Sequence, residues 1–151
     1  MSFQILGAAH TGITVADLER SLSFWRDVLG FKVVLRDVVT GETLERITGV
    51  RGGSMSLALL DVPGGGGQIE LAEYTDPAER GHFRPNPEDV GSQHVALFVD
   101  DIEAVLQHAA AAGWRSNGTP QVMTDGPAKG TTFLYMTDPD GTIVELVQAA
   151  S

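Results

Sequence analysis

Apolar and polar residues alternate from His10 to Val15, so Thr11, Ile13 and Val15 fall on one face of a strand and His10, Gly12 and Thr14 on the other. Leu18, Leu22, Trp25 and Leu29 then recur at i, i+4, i+7 and i+11, which is one apolar stripe of a helix. Asp17 stands where an N-cap belongs and Gly30 where the helix must end. Further strands are predicted over Phe31 to Arg36, around Thr43 to Thr48, over Met55 to Asp61 and over Gln68 to Tyr74. The last two are joined by a turn containing Pro63 and four glycines.

The pattern then begins again. Gly7, His10, Val15, Asp17, Leu18 and Leu22 recur as Gly91, His94, Val99, Asp101, Ile102 and Leu106, all at an offset of 84. Later, Glu70 in Gly67-Gln68-Ile69-Glu70-Leu71 matches Glu145 in Gly141-Thr142-Ile143-Val144-Glu145-Leu146 at an offset of 75. The smaller offset requires only that the second copy have shorter middle loops. That copy predicts a strand from His94 to Val99, a helix from Asp101 to Ala112 closed by Gly113, and strands over Trp114 to Asn117, Thr131 to Thr137 and Ile143 to Gln148. Asp138-Pro139-Asp140-Gly141 is a strong turn. The fold expected is therefore α+β: two paired βαβββ modules, residues 1–74 and 92–151, joined by a polar linker over 75–91, with a curled mixed sheet forming a cup.

Strand parity sets the chemistry. With the apolar set facing the helices, His10 and His94 point to the opposite face, and Glu70 and Glu145, flanked by Ile69, Leu71, Val144 and Leu146, do the same. Any one of these residues alone would be an ordinary surface group. As matched pairs in both copies, two imidazoles and two carboxylates would converge if the copies pair about a pseudo-twofold axis. Mixed nitrogen and oxygen donors suit one divalent first-row ion per site: nickel, cobalt, zinc, iron or manganese. Four protein ligands would leave two octahedral positions for water or substrate.

Composition narrows the classes. At 151 residues, 42% hydrophobic and with a mean hydropathy of +0.02, the chain is globular and long enough to bury about two-thirds of its unfolded surface. A net charge of −10 argues against binding nucleic acid. The sequence has no apolar run of membrane-spanning length and no signal-peptide pattern, so no membrane partner and a cytoplasmic location are expected. The absence of cysteine excludes disulfides, thiolate metal ligands and thiol nucleophiles. The glycines at 64–67 lack the following Lys-Ser/Thr of a phosphate loop. His82 and Arg84 lie in the linker, which reads as a solvated connection or a lid, and His108 reads as a helix-surface residue.

The segments AHTGITVADLERSLSFWRDVLGF, QHVALFVDDIEAVLQHAAAAG and FLYMTDPDGTIVELV together resemble the vicinal oxygen chelate superfamily, which includes glyoxalases, epimerases, extradiol dioxygenases and bleomycin-binding resistance proteins. The resemblance implies paired βαβββ modules around a metal-bearing cup. It also favours the four-ligand branch that moves protons, because His10, Glu70, His94 and Glu145 fill all four ligand positions. The activity implied is that of a lyase or isomerase of glyoxalase or epimerase type. It would abstract a proton next to a carbonyl through an enediolate, with Glu145 as base and Glu70 as its partner. An extradiol-type dioxygenase and a non-catalytic, antibiotic-binding resistance protein are the alternatives. By the same resemblance Lys129, in GPAKGTT, would contact an anionic group of the substrate.

Thr14 and Tyr74 stand where glutathione-using members carry an Arg and an Asn, which disfavours a glutathione adduct because Thr cannot replace the bidentate contacts of Arg. Thr14, Tyr74 and Phe98 are the contacts expected for a smaller or more aromatic molecule. The resemblance implies a homodimer too. Phe24, Trp25 and Phe31 agree with that expectation, since one helix stripe could not hide all three.

Overall fold

In a computed structural model that describes residues 3–76 and 80–150, strand β1 (Thr11–Thr14) leads into helix α1 (Leu18–Trp25). The chain continues through β2 (Lys32–Thr40), α2 (Gly41–Thr48), β3 (Ser54–Asp61) and β4 (Gln68–Asp76). The second half repeats the opening with β5 (His94–Phe98) and α3 (Ile102–Ala111). It then runs through β6 (Arg115–Ser116), β7 (Gln121–Val122), β8 (Thr132–Thr137) and β9 (Ile143–Gln148). The chain divides into two compact units, residues 1–80 and 81–151, so the division falls inside the stretch 75–91. Among the described residues, no helix is long and apolar enough to cross a membrane.

The two sheets have the same plan. In the first the strand order is β1-β4-β3-β2, and in the second β5-β9-β8-β6, with β7 also on β8. The opening strand pairs parallel with the closing one in both, and the remaining pairs are antiparallel. The repeat extends to single hydrogen bonds. The Val15 and Val99 amides each donate to the closing strand, at Ala72 and Val147, over 2.9 Å. Asp17 and Asp101 cap their helices by accepting from the Arg20 and Ala104 amides. The first helical amide, Leu18 or Ile102, donates to a side chain of the closing strand, Glu73 at 2.9 Å or Gln148 at 3.0 Å. These contacts satisfy N–H groups that a helix start otherwise leaves open, and they fix the direction of each helix over its sheet.

Each helix covers one sheet face with the residues that strand parity assigned to it. Leu18, Leu22 and Trp25 of α1 are buried, as are Ala58, Leu60, Ile69 and Leu71 on the strands beneath. In the second unit Ile102 and Ala109 of α3 are buried, with Leu134, Met136, Val144 and Leu146 beneath them. The opposite faces carry the polar set.

Three expectations need correction. Residues 43–48 are not a strand: Gly41–Thr48 form α2. Because β2 pairs directly with β3 through Thr40 and Ser54, this segment leaves the sheet, and its backbone must satisfy itself locally. A Glu42–Arg46 ion pair one turn apart and Gly49 at φ +79°, whose amide donates to Glu45 at 2.8 Å, complete the helix. Second, the helical span of α1 stops at Trp25 rather than Leu29. The residues that follow keep helix-like hydrogen bonds as far as Gly30, whose amide donates to Arg26 at 3.2 Å. Third, Phe24, Trp25 and Phe31 need no second subunit to cover them. They are 0%, 1% and 3% exposed, and Trp25 packs edge-on against Phe24 and Phe31 with ring centroids 5.5 Å and 5.2 Å away.

Candidate metal centre

The polar face of each sheet carries one imidazole–carboxylate pair. In the first unit Gly12 lies opposite Glu70 across the parallel β1–β4 pairing, and His10 Nε2 is 3.9 Å from Glu70 Oε2. In the second, Ala96 lies opposite Glu145 across β5–β9, and His94 Nε2 is 3.4 Å from Glu145 Oε2. Small residues at the facing positions leave room for the carboxylates: a Cβ placed on Gly12 would meet Glu70 Oε1 at 3.8 Å. All four side chains remain partly open to solvent.

The donor chemistry fits a divalent ion. Two ligands held at about 2.1 Å from one ion lie roughly 3.0–3.4 Å apart for octahedral or tetrahedral angles. The two observed separations, 3.9 Å and 3.4 Å, are at or just above that span, and the His nitrogen that faces the carboxylate is Nε2 in both units. Among the described residues the donors occur as these two pairs, with no group of three or more His, Asp or Glu close enough to hold an ion.

The other expected site residues fare differently. Thr14, opposite Ala72, and Phe98, opposite Val147 and 86% exposed, lie on the same faces as the pairs. Tyr74 shares that face but packs against Leu44, Met55, Leu57 and Ala72, the apolar cluster that α2 closes. Lys129 sits in an exposed turn, its amide donating to Gly126 at 3.2 Å, and does not line the cavity beside Glu145. His108 lies on the surface of α3, with Nδ1 2.7 Å from the Ala104 carbonyl.

Tyr135 was not read from the sequence. It lies opposite Glu145 across β8–β9, with its ring 5.0 Å from that of His94 and its hydroxyl 3.5 Å from His94 Nε2. Burial, with the Glu145 charge adding to it, raises its pKa above the ordinary 10.0, so the phenol is neutral at physiological pH. The alternation Phe133, Tyr135, Thr137 was the available signal, but it needed the β8–β9 register to reach Glu145. Beside Glu145 and Tyr135 opens a cavity of about 370 Å³, walled also by Asn117, Phe133 and Pro87.

Each unit repeats a parallel pairing of its opening and closing strands that carries one His–Glu pair on the face away from α1 or α3. The chain belongs to the Glyoxalase/Bleomycin resistance protein/Dioxygenase superfamily, whose sequence profile matches residues 7–146. It is 30% identical over 141 residues to a 2-epi-5-epi-valiolone epimerase from Actinomyces sp., covering 91% of this chain and 76% of that protein. It is 32% identical over 145 residues to a probable lactoylglutathione lyase from Synechocystis sp., covering 94% and 95% of the two. The crystal structure of a glyoxalase family protein from Bacillus cereus has the same fold, with a TM-score of 0.85 at 22% identity over 99% of this chain and 98% of that one.

Proposed function

We propose that the protein is a divalent-metal-dependent enzyme of lyase or isomerase type that moves a proton on a carbon next to a carbonyl, with His10, Glu70, His94 and Glu145 as the protein donors to one ion. The observation that supports this is the equivalence of the two pairs. The same imidazole–carboxylate couple stands at the same register of the same parallel strand pair in both units, although the two copies differ in their loops. Relatives named as an epimerase and a lyase support the same class.

A bound divalent ion would draw charge from the substrate's oxygens and so acidify the neighbouring C–H. His10 and His94 hold position through Nε2. Glu145, the less exposed of the two carboxylates, accepts the proton while the C–H electron pair shifts into the carbonyl to give an enediolate. A proton is then delivered to the adjacent carbon from Glu145, or to the opposite face from Glu70, which would enter that step protonated and leave it charged while Glu145 keeps the abstracted proton. Thr14 and Phe98 contact the substrate from the same strand faces. The Tyr135 hydroxyl, held neutral beside Glu145, can donate a hydrogen bond to charge developing there.

Metal analysis of purified protein, followed by turnover of candidate hydroxy-ketones and hemithioacetals in deuterated water, tests this. Uptake of one ion per site and deuterium in a product carbon without oxygen consumption are expected. Oxygen uptake with catechols would replace the reading with a dioxygenase. Failure to bind nickel, cobalt, zinc, iron or manganese would replace it with a ligand-sequestering protein.

A further inference from the structure

A second recess of about 850 Å³ in the unit 81–151 adjoins the cavity beside Glu145, and the two share Asn117 and Pro87 in their walls. It is large enough for much of a metabolite-sized ligand. Its lining brings in Arg84 and Arg115. Arg26, Arg36, Arg46 and Arg51 in the other unit each pair with a carboxylate, whereas Arg84 and Arg115 have no ion pair among the described residues, in a chain with twice as many acidic as basic side chains.

Both arginines are positioned along the recess by the fold. Arg115 lies opposite Thr137 in the β6–β8 pairing. The Thr137 hydroxyl donates to Asn117 Oδ1 at 2.9 Å, which leaves the Asn117 amide N–H groups as donors. Arg84 is held by a backbone approach that only glycine permits. At Gly141, φ +96°, an added Cβ would come within 2.9 Å of Arg84 Cα and 3.1 Å of the Phe83 carbonyl oxygen. Two carboxyl groups also line the recess. Asp138 is engaged in its own turn, with Oδ1 accepting from the Asp140 amide at 2.9 Å and the Thr142 amide at 2.8 Å, while Glu88 is solvent-exposed.

We propose that this recess binds an anionic group, a carboxylate or a phosphate, on the small molecule whose carbonyl end lies at Glu145. The inference rests on the proton-transfer reading for the role of Glu145 and adds the substrate class: a carbonyl compound bearing an acid group at its far end. Paired guanidinium forks with an amide donor are the chemistry that recognises such a group through charge-assisted bonds.

The test is a titration of the metal-free, full-length protein with inorganic phosphate and, separately, with malonate, following the arginine Nε–H and Asn117 side-chain amide signals by NMR. Saturable shifts at Arg84, Arg115 and Asn117 are expected. Arg115→Gln should weaken binding at least about fivefold, and Arg115→Lys by less. Saturation by one anion alone identifies the group as carboxylate or phosphate. Gly141→Ala should weaken binding by displacing Arg84, and Arg84→Gln replaces it if that variant does not fold. The proposal is overturned if neither anion saturates, or if Arg84→Gln and Arg115→Gln titrate like the unmodified protein. Because no metal is present, a failure here is separate from a failure of metal uptake, which would overturn the proton-transfer reading and leave the anion site standing.

Discussion

His94 Nε2 faces Glu145 Oε2 across 3.4 Å, and the matching pair in the first unit, His10 and Glu70, faces across 3.9 Å. If both pairs serve one ion, no single donor is dispensable. His10→Ala, Glu70→Gln, His94→Ala and Glu145→Gln should each lower affinity for nickel or cobalt by at least about tenfold, because losing a ligand should cost no less than losing a residue that merely orients one. Competition with a chelating dye measures this. Unchanged uptake in all four variants would leave the pairs as ordinary surface couples.

Assembly is tested by mixing. β2 is the outer strand of its sheet and exposes Val34, Leu35 and Val38, an apolar edge suited to a second copy, so light scattering should report a homodimer. If each site takes one unit from each chain, mixing His10→Ala with His94→Ala protein restores one complete donor set and with it metal binding. If each site is completed within one chain, no mixture restores it.

Leu44 is fully buried and anchors α2 to the polar side of the first sheet, where Tyr74 also packs. Leu44→Ala should cost about 2–5 kcal/mol in urea unfolding and free the Tyr74 ring. Ile47, on the same helix but 74% exposed, should tolerate alanine within about 0.5 kcal/mol.

The two helix starts differ in one charge. Leu18 is met by the Glu73 carboxylate and Ile102 by the neutral amide of Gln148. Gln148→Glu should therefore stabilise the second unit by about 0.3–1 kcal/mol at neutral pH, because a helix N-terminus favours negative charge. The gain should vanish on acidification through the carboxylate range. Glu73→Ala, which strands an amide, should cost about 1 kcal/mol.

Burial holds the Asp138 carboxyl above its ordinary pKa of 3.8, outweighing the amides of Thr142, Asp140 and Gly141, which favour its charge. Between 3.8 and the raised value the folded state keeps a proton that the unfolded chain has lost, so stability falls as pH rises through that window. Asp138→Asn retains an oxygen acceptor for the turn and escapes this loss. Its advantage over the unmodified protein in urea midpoint should be smallest below the window and reach its full size above it.

Sequence alone determined the repeated strand–helix plan, the faces of the strands and the two His–Glu pairs, because periods of 2 and 3.6 residues are local and a matched offset needs no knowledge of packing. The Asp17 cap was legible for the same reason, since a cap acts within one turn, while Asp101, read as the first residue of its helix, is the cap in the structure. Residues 41–48 carry local helix signals that the strand reading passed over, and the tertiary structure decided which side of that helix is buried. Leu44 and Ile47 stand three apart and Glu42 and Arg46 four apart, which is helical spacing, while the direct pairing of β2 with β3 keeps the segment out of the sheet and buries Leu44 as the helix anchor. Tyr74 was placed on the correct face, yet its burial depends on α2 arriving there. Tyr135 reaches His94, and Arg115 comes to lie opposite Thr137, through strand register, which pairs residues far apart in the chain. The Phe24, Trp25 and Phe31 rings bury one another. Those rings lie within one short window and only their burial is tertiary, whereas register joins Tyr135 to Glu145 and Arg115 to Thr137 across partners that no local pattern names.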